Sequence, residues 1–200
     1  MERFNSAIIL AGGKSSRMGY NKELIIIDEK KIVNYQIEAL RKLFHEIIVV
    51  TKNKEFYSDL DCKAVSDIIE DRGPFGGIHS GLLASSSMYS YVIACDMPVI
   101  NTNYINFMKK KIYQGDLDGC MTLYGDHIEP FNAFYSKSMV EDIEEYLLGG
   151  GYSIYKLVKA LNFSFIKEKI ARRFSPNWDM FINFNTREDI CKYLGNGSCD

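Results

Sequence analysis

Ala7-Ile8-Ile9-Leu10-Ala11-Gly12-Gly13-Lys14-Ser15-Ser16-Arg17-Met18-Gly19-Tyr20-Asn21-Lys22 is the stretch on which the reading of this chain turns. Its apolar run, 7–11, has the composition of a strand buried on both faces of a parallel sheet. Two glycines stop the run. Glycine accepts backbone angles closed to other residues and lets a ligand approach the main chain. Exposed N–H groups beyond a strand form an anion cradle. Arg17 and Lys22 bring positive charge into the same loop. Together these features point to a site for a nucleoside triphosphate.

Two familiar phosphate loops are excluded by spacing. Gly13-Lys14-Ser15 resembles the end of G-x-x-x-x-G-K-[ST], but the first glycine of that pattern would fall at Ile8, inside the strand. The G-x-G-x-x-G turn fails because Gly12 and Gly13 are adjacent.

Composition narrows the class further. The 200 residues suffice for one sizeable domain with its own core. With 24 basic and 26 acidic residues the net charge is −2, which disfavours a nucleic-acid binder. No apolar run approaches the roughly 20 residues that cross a bilayer, and the N-terminus has no signal-peptide pattern. Five cysteines, at 62, 95, 120, 191 and 199, are odd in number and lack C-x-x-C spacing. They read as reduced thiols in a cytoplasmic protein.

Downstream, strand and helix patterns alternate. Val33, Ile37, Leu40 and Phe44 lie on one helical face. Strands are expected over 47–51, 63–65 and 89–94, and helices over 78–84 and 104–112. A strand from 118 to 123 turns at 124–127 into Ile128-Glu129-Pro130-Phe131, a segment that taken alone would also fit an edge strand bearing proline. Helices follow Ser138 and span Ile154 to Leu161, with a short strand near 164–166. Thr186 and Asp189 form a variant capping box for a last helix. The alternation predicts a three-layer α/β/α, Rossmann-like fold with a mostly parallel central sheet. No linker or repeat divides residues 1–200, and the chain is expected to fray from Gly195 onward, over 195–200.

Three loop positions carry chemistry of their own. Asn53, just past a strand end, either closes a turn or contacts a base or ribose. Asp67 either caps a turn or accepts hydrogen bonds from a ligand. Asp96 stands at the tip of a central strand. There it either caps the helix near Thr102 or offers a hard oxygen ligand to Mg2+ beside phosphates.

These segments, taken together, resemble the nucleotidyltransferases that guanylylate the molybdenum cofactor, the MobA family. The resemblance is carried by Leu10-Ala11-Gly12-Gly13, Arg17-Met18-Gly19 and Lys22, with Asn21 where the family has Asp. It continues through Asp67 with Gly73-Pro74-Phe75-Gly76-Gly77-Ile78, Cys95-Asp96-Met97-Pro98 and Glu129-Pro130-Phe131-Asn132-Ala133-Phe134-Tyr135. It closes on Asn183-Phe184-Asn185-Thr186-Arg187-Glu188-Asp189. It implies a nucleotidyltransferase fold with a nucleotide half, residues 1–100, and a molybdopterin half, residues 101–194. It implies GMP transfer from GTP to molybdenum-bearing molybdopterin, with pyrophosphate released. Lys22, Arg17 and Asp96 are the implied catalytic residues, and Asp96 the ligand of a Mg2+ cofactor. Leu10, Ala11, Gly12, Gly13, Lys22, Asn53, Asp67 and Asp96 are implied to bind nucleotide, and Asn183 and Asn185 to bind molybdopterin. Molybdenum-insertion proteins or molybdoenzyme chaperones are the implied protein partners. The first motif alone also admits a cytidylyltransferase or a sugar-phosphate nucleotidyltransferase. The Asn21 departure admits a non-catalytic GTP- or cofactor-binding protein.

Overall fold

The computed structural model describes residues 2–12, 22–27 and 29–193. In chain order the regular elements begin with β1 (Ser6–Leu10), β2 (Ile26–Ile27), β3 (Lys30–Lys31), α1 (Ile32–Arg41) and β4 (Glu46–Val50). There follow β5 (Lys63–Val65), α2 (Pro74–Ala84), β6 (Tyr89–Ala94), α3 (Thr102–Tyr113), β7 (Gly119–Tyr124) and β8 (His127–Ser136). The described part ends with α4 (Val140–Leu148), α5 (Ile154–Ala160), β9 (Phe163–Lys167), α6 (Glu168–Ala171) and α7 (Arg187–Tyr193).

One seven-stranded sheet runs β5-β4-β1-β6-β8-β7-β9, and β2 and β3 make a small separate hairpin. β1 pairs in parallel with β4 on one side and β6 on the other. Only β8 runs against its neighbours. Alternation along the strands explains the layers. Ala7 and Ile9 join a core with Ile32, Val33, Leu40 and Tyr104 on one face, from α1 and α3. Ile8 and Leu10 join a core with Ile78, Leu82, Ile143 and Val158 on the other, from α2, α4 and α5. A strand covered on both sides favours apolar residues, and β1 is buried along its whole length, its one polar residue, Ser6, bonded through its hydroxyl to Ser87.

Two expectations need correction and one alternative falls. The strand carrying Pro130 is no edge; β8 lies between β6 and β7. Proline is accommodated because the β7–β8 register jumps there, from Thr122 opposite Glu129 to Cys120 opposite Phe134. α2 begins at Pro74, four residues before the expected start, because proline suits the first helical position and the preceding Gly73 takes φ +59°. Gly76 and Gly77 therefore belong to the first turn of a helix. Finally, Cys62, Cys95 and Cys120 are free thiols but Cys191 is disulfide-bonded. An odd count rules out complete pairing, not one pair. No helix among the described residues is long and apolar enough to cross a membrane.

Candidate active site

The strand order reverses its direction of growth at β1, since β4 and β5 lie to one side of it and β6 to the other. In open α/β sheets this switch point opens a crevice beyond the strand carboxyl ends. A cavity of about 330 Å³ lies there, lined by Leu10, Ala11 and Gly12 from β1 and its exit, by Cys95 and Asp96 beyond β6, and by Lys22. Gly77 of α2, Phe131 of β8, Asn183 and Asn185 complete much of its wall.

Lys22 and Asp96, 74 positions apart in the chain, meet in this cavity. The Lys22 Nζ donates to Asp96 Oδ2 at 2.6 Å. It also donates to Asn185 Oδ1 at 3.3 Å. Asp96 is 8 % exposed, and its second oxygen, Oδ1, is buried with no hydrogen-bond partner among the described residues. A desolvated carboxylate oxygen without a donor is costly unless something positive reaches it. The helix after Asp96 is capped by Asn101, whose side chain accepts from the Tyr104 N–H at 3.0 Å. Asp96 is thereby left to the cavity.

Two buried polar side chains, which motif reading passed over, hold this pair. Gln36 of α1, 1 % exposed, donates from Nε2 to the carbonyls of Ala94 and Met97, both at 2.8 Å. Those carbonyls bracket the turn that carries Asp96. Gln36 sits on the apolar stripe between Val33 and Leu40, and a polar residue on such a stripe is the signal that would have found it. Glu23 follows Lys22 in the 3-10 turn Lys22–Leu24 and is 3 % exposed. It accepts from Thr51 Oγ1 at 2.8 Å, Tyr57 OH at 3.0 Å and Asn53 Nδ2 at 3.2 Å. Burial, then the Glu23 charge, hold the Tyr57 hydroxyl far above its ordinary pKa. In the sequence, Glu23 looks like any surface glutamate ahead of an apolar run.

The remaining expected site residues fall as follows. Asn183 and Asn185 flank Phe184, which is fully buried and whose N–H donates to the Asp96 carbonyl at 2.9 Å. That single backbone bond brings the C-terminal segment to the β6 exit and turns both amides into the cavity. The expected cap is present, since Asp189 Oδ2 accepts from the Asn185 and Thr186 N–H groups and the Asp189 N–H donates to Thr186 Oγ1. Asn53 sits behind Glu23 and is not part of the cavity wall. Asp67 stands at the foot of α2, where a Cβ on Gly76 or Gly77 would lie 3.7 or 3.6 Å from its carboxylate. Burial raises the Asp67 pKa above the usual carboxylate range, against the nearby positive charge of Lys52. Gly12 lines the cavity, yet its N–H donates to the Val50 carbonyl at 2.9 Å, as does that of Ala11. These two groups extend the β1–β4 ladder, so a main-chain cradle would draw on N–H groups further along. Gly13 and Arg17 lie outside the described residues.

Residues 7–163 match the MobA-like NTP transferase domain. The chain belongs to this family. A probable molybdenum cofactor guanylyltransferase of Peptoclostridium acidaminophilum is 51 % identical over 195 residues, covering 95 % of this chain and 88 % of that protein. A molybdenum cofactor guanylyltransferase of Syntrophotalea carbinolica is 46 % identical over 195 residues, covering 98 % of this chain and 93 % of that one. Among solved structures, the molybdopterin-guanine dinucleotide biosynthesis protein A of Archaeoglobus fulgidus superposes with a TM-score of 0.82 at 22 % identity, over 94 % of this chain and 95 % of that one. At that identity the likeness speaks for the fold, and the same architecture is found in this MobA-like domain.

Proposed function

We propose that this chain transfers GMP from GTP to molybdenum-bearing molybdopterin, releasing pyrophosphate and forming the guanine dinucleotide form of the cofactor. The names of the relatives at 51 and 46 % identity support the reaction. The observation that carries the assignment of residues is the meeting of Lys22 and Asp96 in one cavity at the switch point.

In this reading the terminal phosphate of molybdopterin attacks the α-phosphorus of GTP. A new P–O bond forms, the bond to the β-phosphate breaks, and pyrophosphate departs with the electron pair. A phosphate monoester is already an anionic nucleophile near neutral pH, so the protein need not supply a base. Its work is to bring two polyanions together and to offset charge as it develops. Lys22 does so from the β1 side, and Arg17 is assigned the same part. Leu10, Ala11, Gly12 and Gly13 form the triphosphate rim. Asp67, beside the α2 glycines, accepts from the guanine edge or ribose. Asn183 and Asn185, whose amides carry both donors and acceptors, face the mixed hydrogen-bonding groups of the pterin.

Asp96 fits a divalent cation. Its Oδ1 is buried without a donor, and no group of three or more His, Cys, Asp or Glu suited to metal binding occurs among the described residues. One carboxylate, with waters and phosphate oxygens as the other ligands, is the donor set that Mg2+ accepts. Bound there, Mg2+ would supply charge neutralisation at the phosphates. Residues 1–100 then form the nucleotide half and 101–194 the molybdopterin half of one domain, and the site of action is the cytoplasm. Molybdenum-insertion proteins or molybdoenzyme chaperones are the proposed protein partners.

The test is pyrophosphate release by the full chain with molybdenum-bearing molybdopterin and Mg2+, comparing GTP with CTP. Release with GTP well above that with CTP is expected. Equal or greater release with CTP would overturn the choice of nucleotide, and none with either would point to a binding protein.

A further inference from the structure

We infer that Glu23 is a positioning residue for Lys22. The inference rests on the part assigned to Lys22 above. Lys22 opens a 3-10 turn of three residues, Lys22–Leu24. Its ammonium must stay within reach of Asp96 and Asn185. The adjacent residue supplies the anchor. Glu23 points away from the cavity and is buried at 3 % exposure. Its Oε2 accepts from Thr51 Oγ1 and Tyr57 OH, and its Oε1 from Asn53 Nδ2.

The three donors among the described residues come from one segment. Thr51 directly follows β4, Asn53 lies two residues further on, and Tyr57 closes the 3-10 turn Lys54–Tyr57. Thr51 is itself tied to β5 through its N–H to the Val65 carbonyl at 2.8 Å. The Asn53 N–H donates back to Thr51 Oγ1 at 2.9 Å. The carboxylate thus bolts a short turn to the end of a central strand, one residue from the reacting cation. A buried carboxylate is costly unless several donors meet it, and here a set of donors is arranged around it. Asn53, in this arrangement, helps hold Glu23. Misplacing a catalytic group by about 1 Å can cost on the order of 10²-fold in rate.

The experiment is a double-mutant cycle on turnover, with wild type, Glu23→Ala, Lys22→Ala and the double variant, each shown to be folded by its thermal melt. Pyrophosphate release with GTP, Mg2+ and molybdenum-bearing molybdopterin is measured. Glu23→Ala should lower kcat by about 10-fold or more with a smaller change in the GTP KM. In the Lys22→Ala background the same substitution should cost less than about 2-fold, because the group it positions has gone. Glu23→Gln, whose amide oxygen still accepts, should recover part of the loss. If Glu23→Ala does not fold, Tyr57→Phe removes one donor and should show a smaller loss with the same dependence on Lys22. Equal losses in both backgrounds, or wild-type kcat in folded Glu23→Ala, would overturn the inference and leave the part of Lys22 intact. Wild-type kcat in folded Lys22→Ala would overturn both.

Discussion

On one side of the sheet β5, β4, β1 and β6 run parallel, each wound to the next through a helix or turn. On the other side β8 reverses direction between β6 and β7, and β9 pairs with β7. The parallel side places its chemistry at strand ends, where Gly12, Asp96 and the Thr51–Asn53 anchor all lie. The other side reaches the same cavity by irregular means. Phe131 falls in the β7–β8 register jump, and Asn132 takes φ +56°. Asn183 and Asn185 come from an extended tail pinned by the Phe184 N–H to the Asp96 carbonyl. The contrast shows regular βα units setting their groups at strand ends, whereas the neighbouring half holds its groups through individual bonds.

Packing substitutions should break the two sides unequally. An added Cβ at Gly119 would lie 2.4 Å from the Phe134 carbonyl oxygen and 2.3 Å from the Phe163 ring, whereas at Gly81 it would meet only the Ile8 side chain, at 2.6 Å. Side chains can re-seat and a sheet backbone cannot do so cheaply. Gly119→Ala is therefore expected to cost about 3 kcal/mol and Gly81→Ala about 1 kcal/mol in urea unfolding. The reverse order would mean that the antiparallel side yields more readily than its bonding implies.

A smaller effect is expected at the joint between the halves. Gln36→Leu takes a donor from the carbonyls of Ala94, which keeps the Met97 N–H, and of Met97, and should destabilise by about 2 kcal/mol. Because those carbonyls bracket Asp96, turnover should fall as well. A loss of stability with full turnover would show that the Asp96 turn keeps its shape unaided.

The smallest effect concerns Asp67, whose folded-state pKa is raised by burial. The folded state therefore binds a proton more readily than the unfolded state. Stability then falls as pH rises from the ordinary Asp value through the folded one, and the cost persists at neutral pH. Asp67→Asn should melt slightly above wild type at pH 7, the difference closing as the pH drops towards the ordinary Asp range. It should also weaken GTP binding, measured by ligand-dependent melting. Unchanged GTP binding would remove Asp67 from the site while leaving the stability argument in place.

The first half was the more legible from sequence for the same physical reason. Strands buried on both faces are mostly apolar, so Ala7 to Leu10, Ile47 to Val50 and Tyr89 to Ala94 announce themselves, and so does the glycine exit. Pro130 leaves an edge open because a proline normally marks one, and a register jump is invisible in a single sequence. Gly76 and Gly77 look like loop residues until Pro74 is taken as a helix start, which is why the turn signals alone place the start of α2 too late. Lys22 and Asp96 were legible as residue types at strand exits, and their meeting at 2.6 Å follows from the strand order. Glu23 and Gln36 were not, since their partners are one carboxylate's donors and two backbone carbonyls, which no spacing encodes.

The central claim is that the Lys22–Asp96 cavity is where the triphosphate reacts. Its most direct test is the turnover of Lys22→Ala, measured as pyrophosphate released from GTP with molybdenum-bearing molybdopterin and Mg2+ present, in a variant whose thermal melt matches wild type. The account predicts a fall in kcat of about 10²-fold or more; near-wild-type turnover in the folded variant would contradict it.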